Sequence, residues 1–145
     1  MGRTRSIRKI TAGDIPTIID IQESITKERV SQAWARGMEG HVLRREVVGF
    51  VAVKGGKVVG YITGEIKGPG FGIEMSGWIE FIGVYPRFMG EGIGKTLARK
   101  LFDCFKKNHV EHVYTAARWD AVDILSFLKS IGFDRSPLIY LEKDL

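Results

Sequence analysis

Glycines stand at alternate positions in Met89-Gly90-Glu91-Gly92-Ile93-Gly94-Lys95-Thr96, between an apolar run ending at Val84 and a long helical pattern. Glycine lets a backbone turn tightly and approach a ligand with no Cβ in the way. The first N–H groups of a following helix have no internal acceptor, and the helix dipole favours negative charge there. The segment is therefore suited to a phosphate or pyrophosphate. Two phosphate motifs fail on spacing. The dinucleotide fingerprint needs G-x-G-x-x-G, whereas Gly90, Gly92 and Gly94 are spaced G-x-G-x-G. Gly94-Lys95-Thr96 matches the end of a P-loop, but that motif needs its first glycine at the position of Met89.

A second chemical signal lies upstream. Glu80 sits between Ile79 and Phe81, where a plain buried strand would not carry a carboxylate. At a two-residue period it shares a sheet face with Ile82 and Val84. It is a candidate general base, with a surface charge or a salt bridge as the bland alternative. Glu74, in a glycine-rich stretch, is a second choice. His41, His109 and His112 have no spacing that builds a metal site, and they read as surface or sheet-edge residues. No metal is expected. Cys104 reads as a small core residue of an apolar helix.

The elements that must position these residues follow from the hydrophobic period. Ser6–Ile10 predicts a first strand, and Thr11 with Asp14 predicts a capped helix carrying Ile15, Ile18 and Ile19. A second helix is predicted over Ser31–Glu39, ended by Gly40. Val47–Val53 and Val58–Thr63 read as strands joined by the turn Lys54-Gly55-Gly56-Lys57. Gly64–Gly77 reads as a loop or loosely paired hairpin end, and Trp78–Val84 as the next strand. Ile93, Leu97, Leu101 and Phe105 recur every four residues, giving a helix over Gly92–Asn108. Val110–Ala117 predicts a strand, then a helix starts at Asp120 or Asp123 and runs to Ile131, with Gly132 as its left-handed stop. Leu138–Leu141 predicts a closing strand. The order β-α-α-β-β-β-α-β-α-β implies a mixed sheet with helices on both faces.

The chain of 145 residues fits one domain over residues 1–145, and its formal charge of +5 favours anionic partners. No apolar run approaches membrane-spanning length, and the basic start lacks the apolar stretch of a secretory signal. A cytoplasmic setting is expected.

Ile82-Gly83-Val84-Tyr85-Pro86 followed by Met89-Gly90-Glu91-Gly92-Ile93-Gly94 resembles motif A of the GNAT acetyltransferase superfamily. In that motif a strand ending L-x-V-x-P leads to Q/R-x-x-G-x-G/A at a helix start. The resemblance extends from about Ile7 to the C-terminus, through Ser130-Ile131-Gly132-Phe133 and the closing strand. It implies an α/β (α+β) fold with a mixed, mostly antiparallel central sheet, and an acetyl-coenzyme A-dependent N-acetyltransferase. The acetyl group would pass directly to a primary amine: a protein N-terminus, a lysine or a small amine. Coenzyme A would lie in a gap between the fourth and fifth strands. Backbone groups of Ile82, Gly83 and Val84 would meet its pantetheine. The N–H groups of Met89, Gly90, Glu91, Gly92, Ile93, Gly94 and Lys95 would hold its pyrophosphate. Met89 departs from the family's Gln or Arg, and Arg87 could supply the charge. Ser126 and Phe127 could also touch coenzyme A.

The resemblance further implies Glu80 as general base, directly or through water. Leu128 stands where the family often has the tyrosine acid, which leaves Tyr140 as a stand-in. Trp34, Glu39, Phe71 and Trp78 would line the acceptor site. A homodimer is compatible with this reading. The rival is a coenzyme A-binding sensor or interaction module that has lost catalysis, as Leu128 and Met89 would allow. Nucleic-acid binding through Arg3, Arg5, Arg8 and Lys9 is a weaker alternative that predicts a steep salt dependence.

Overall fold

A computed structural model describes residues 5–69 and 74–145. The chain divides into two compact units, Met1–Thr115 and Ala116–Leu145. In the first unit the elements are β1 (Arg5–Lys9), α1 (Ile15–Thr26), α2 (Gln32–Val42), β2 (Val47–Lys54), β3 (Lys57–Lys67), β4 (Ser76–Val84), α3 (Ile93–Lys107) and β5 (Val113–Tyr114). The sheet order is β1-β2-β3-β4-β5. Every neighbouring pair is antiparallel except β4 with β5. The mixed, mostly antiparallel sheet expected from the sequence is what forms.

Turn and cap chemistry set the frame. Gly55 and Gly56 take φ of 58° and 78°, the left-handed pair that a two-residue hairpin demands. Ser31 caps α2 by accepting the Trp34 N–H at 3.0 Å. Thr11 and Asp14 cooperate as expected, with the Thr11 N–H donating to Asp14 Oδ2 at 2.8 Å. The Arg8 guanidinium grips both Asp14 oxygens at 2.9 and 2.8 Å, tying β1 to the start of α1.

The two faces of the sheet are covered by different helices. On one, Ile15, Ile18 and Ile21 of α1 and Met38 of α2 pack with Val51 and Tyr61. On the other, Leu97, Leu101 and Phe105 of α3 are buried. There the sheet offers glycine: a Cβ on Gly64 would lie 2.8 Å from the Phe105 ring, and one on Gly77 would lie 2.6 Å from it. These glycines exist for close approach. The predicted loop at Gly64–Gly77 is therefore corrected at both ends, because Gly64 belongs to β3 and Gly77 to β4. α2 likewise runs past Gly40 to Val42, which carries His41 into the fold.

In the second unit, α4 covers Val122–Ser130. Gly132 takes φ 101°, and the Phe133 N–H returns to Leu128 O at 3.0 Å, the predicted left-handed stop. Asp120 does not cap the helix; Arg118 binds it through two contacts of 3.0 Å. The expected strand at Leu138–Leu141 is not formed. Pro137 has no N–H to give a ladder, and the Ser136 hydroxyl accepts the Leu138 N–H at 3.1 Å, a local bond that competes with strand pairing. Tyr140 is 76% exposed and lies on no strand, so the structure does not support the expected placement of this stand-in acid.

Candidate active site

β4 keeps β3 beside it along its whole length but has β5 only near its start, and that builds the site. It pairs with β5 only at Gly77–Val113 and Trp78–Tyr114. The Thr115 hydroxyl then donates to Ile79 O at 3.1 Å, and the contact ends. Against β3, Thr63 pairs with Phe81 while Gly64 pairs with Ile79, so Glu80 is the extra residue of a β-bulge. A bulge bends its strand and sharpens the local twist, and this one lies just past the residues of β4 that pair with β5. The Tyr85 N–H donates to Val59 O at 3.0 Å, so by alternation Ile82 and Val84 direct their N–H and C=O groups to the edge away from β3.

The bulge also corrects a sequence expectation. Glu80 does not share a face with Val84, whose side chain lies with Ile93 of α3 where a Cβ on Gly60 would be. The Glu80 carboxylate is 3.7 Å from Lys67 Nζ, and Lys67 Nζ lies 4.6 Å over the Trp78 ring. A two-residue period cannot anticipate this, because the inserted residue breaks the alternation.

α3 begins as an open cradle. Gly90 and Gly92 both take φ 83°, and beyond their chain neighbours no atom of the described residues comes within 4 Å of where their Cβ atoms would be. The first intrahelical bond is Thr96 N–H to Gly92 O at 3.0 Å, which leaves the N–H groups ahead of it without helical acceptors. Met89 does not join them, since its N–H donates to Pro86 O at 3.2 Å. Glu91 is the one acidic residue of the loop. Its carboxylate is held by the Lys54 ammonium, and its carbonyl accepts from Arg5 Nη1 at 2.9 Å. Arg87 stacks over the Tyr85 and Phe88 rings at 5.7 and 5.0 Å. An open edge followed by unbonded amides at a helix start suits an extended amide chain ending in a pyrophosphate.

On the α2 side of the sheet, a polar cluster lies among aromatic rings. Trp34 and His41, seven residues apart on α2, both meet Phe81 edge-on, at 6.0 and 5.3 Å between ring centroids. His41 Nε2 is 3.0 Å from Thr63 Oγ1, and Thr63 is fully buried. Burial holds the imidazole below its usual range. The charges of Glu80 and Glu65 pull it upward, and that of Arg44 pushes it down. Arg44 in turn is 2.9 Å from Glu65. Trp78 donates from Nε1 to Ser76 Oγ at 2.8 Å and leans on Tyr114 at 5.2 Å.

The expected residues thus fall into distinct groups. Ile82, Gly83, Val84 and Gly90–Lys95 line one edge and the adjoining helix start. Trp34, Trp78 and Glu80 gather with residues of the opposite face. Glu39 is exposed on α2, and Phe71 lies outside the described residues. Ser126 and Phe127 fall on α4 of the second unit. His41 was missed: read as a surface or sheet-edge residue, it is half-buried in the cluster. The available signal was its seven-residue spacing from Trp34, two helical turns on one face. Of the N-terminal cations, Arg5 and Arg8 already have protein partners, and Arg3 lies outside the described residues. Among the described residues no group of His, Cys, Asp and Glu is arranged to hold a metal ion, and no helix is long and apolar enough to cross a membrane.

A sequence model described as the acetyltransferase (GNAT) family matches residues 15–133. No curated protein sequence matches the chain significantly. Among solved structures, an aminoglycoside 6'-N-acetyltransferase from Acinetobacter baumannii is similar at TM-score 0.83 and 13% identity, covering 98% of this chain and 99% of that one. An aminoglycoside N-acetyltransferase in complex with CoA is similar at TM-score 0.84 and 14% identity, with coverage of 99% and 97%. A transcriptional regulator from Bacillus halodurans is similar at TM-score 0.81 and 18% identity, with coverage of 98% and 100%. At these identities the likeness concerns the fold.

Proposed function

The chain belongs to the acetyltransferase (GNAT) family, and on that footing we propose that it moves an acetyl group from acetyl-coenzyme A directly to a primary amine. The observation that carries this reading is the β4 edge at Ile82–Val84, which has no strand partner among the described residues, followed by the amides of Gly90–Lys95 that precede the bond from the Thr96 N–H to Gly92 O. The edge groups of Ile82 and Val84 bind the pantetheine amides as an added strand would. The amides at the start of α3 hold the pyrophosphate, with Lys95 and Arg87 adding charge. When bound, acetyl-coenzyme A supplies an activated acyl group as a thioester.

Glu80 faces the acceptor and draws its ammonium in, while Trp34, Trp78 and Glu39 supply aromatic and acidic surface for a cation. Glu80 and His41 are the two groups placed to accept the amine's proton. No protein acid is required, because a thiolate is a competent leaving group; this accommodates Leu128 at the family's tyrosine position. The acceptor is a protein N-terminus, a lysine or a small amine such as the aminoglycosides named for the structural neighbours. Mass spectrometry of an amine panel incubated with acetyl-coenzyme A tests the proposal. Acetylation of at least one class is expected. Tight cofactor binding without any acetylated product would instead support a coenzyme A-binding sensor, the reading that Leu128 favours.

A further inference from the structure

We propose that His41 is the group that takes the proton from the acceptor amine, with Thr63 fixing its ring and Glu80 holding the incoming ammonium. This rests on the acetyl-transfer reading and divides its chemistry between two residues.

The geometry is specific to one ring. His41 sits near the end of α2, wedged edge-on against Phe81, the residue that follows the bulge. Its Nε2 meets Thr63 Oγ1 at 3.0 Å, and Thr63 is the direct ladder partner of Phe81. One ring nitrogen is therefore engaged with a buried, immobile hydroxyl. In the tautomer whose Nε2–H donates to Thr63 Oγ1, Nδ1, which has no hydrogen-bond partner among the described residues, is the acceptor. The ring is half-buried and keeps a route to water.

The electrostatics suit a base that must be neutral before the reaction and charged during it. Burial and Arg44 keep the imidazole neutral near pH 7. Once protonated, the ring is favoured by Glu80 on β4 and Glu65 on β3. Lys67 offsets Glu80 at 3.7 Å, and Arg44 offsets Glu65 at 2.9 Å, so neither carboxylate overrides the burial beforehand. An acceptor amine arrives as ammonium with three N–H protons. His41 takes one and passes it to water. The freed lone pair forms the C–N bond, the C–S electron pair goes to sulfur, and a second N–H proton ends on the thiol. The third remains on the amide, so protons and electrons balance.

The test is the pH profile of kcat/KM for acetyl transfer in the wild type and in the variants His41→Gln, Thr63→Val and Glu80→Gln. The wild type is expected to lose rate as pH falls through a midpoint below the usual histidine value, where the imidazole charges. His41→Gln should lose about 10²–10⁴-fold and its acid limb with it. Thr63→Val should shift that limb, and Glu80→Gln should raise KM while keeping it. If Glu80→Gln removes the limb and His41→Gln does not, Glu80 is the base and this inference fails while acetyl transfer stands. If the wild type binds coenzyme A but acetylates nothing, both fail. Should His41→Gln not fold, NMR titration of the wild-type imidazole decides. A midpoint below the usual histidine value that moves on acceptor binding supports the role, and one unmoved by acceptor overturns it.

Discussion

Lys67 occupies the place an acceptor would want, with its ammonium between the Trp78 ring and the Glu80 carboxylate. Its side chain is 44% exposed, so the ion pair is weak and displaceable. Lys67→Met should lower the KM of a cationic acceptor about two- to fivefold in steady-state kinetics, because Glu80 is freed for it. An unchanged KM would place the acceptor elsewhere. Tyr61 illustrates a different residue-scale cost. It is fully buried, its hydroxyl has no partner among the described residues, and burial pushes that hydroxyl up to about 12. Removing an unsatisfied buried hydroxyl relieves a desolvation penalty. Tyr61→Phe should therefore leave stability unchanged or raise it by about 1 kcal/mol in denaturant melts. Glu80 was legible because a carboxylate stood out in an apolar run. His41 was not, because a lone histidine has no local pattern; only the ring it meets across the fold gives it meaning.

At the scale of elements, hydrophobic period and turn chemistry located both strands of the Gly55-Gly56 hairpin and the whole of α3. They misread Gly64 and Gly77 as loop, since the reason for glycine there is Phe105 on a helix far along the chain. Gly77→Ala would put a Cβ 2.6 Å from the Phe105 ring, and it should destabilise the fold by about 1–3 kcal/mol in chemical denaturation. A loss below about 0.5 kcal/mol would mean that α3 can shift freely on the sheet. The bulge at Glu80 and the absent strand at Leu138–Leu141 were equally out of reach. A bulge depends on the register of two strands, and a strand forms only where a partner offers a ladder.

At the scale of the whole molecule, the two candidate features are built from different elements. A chain of net charge +5 places an amide cradle with Lys95 beside it at the start of α3, and gathers Glu65 and Glu80 under α2. The open loop and helix start at Gly90–Gly94 were readable because they are features of local backbone, whereas the cluster around Phe81 is assembled from three separate elements. The most direct test is crystallography of the protein soaked with coenzyme A. The account predicts pyrophosphate on the N–H groups of Gly90–Lys95 and pantetheine bonded to the edge of Ile82–Val84. Coenzyme A bound elsewhere, with that edge and those amides left free, would contradict it.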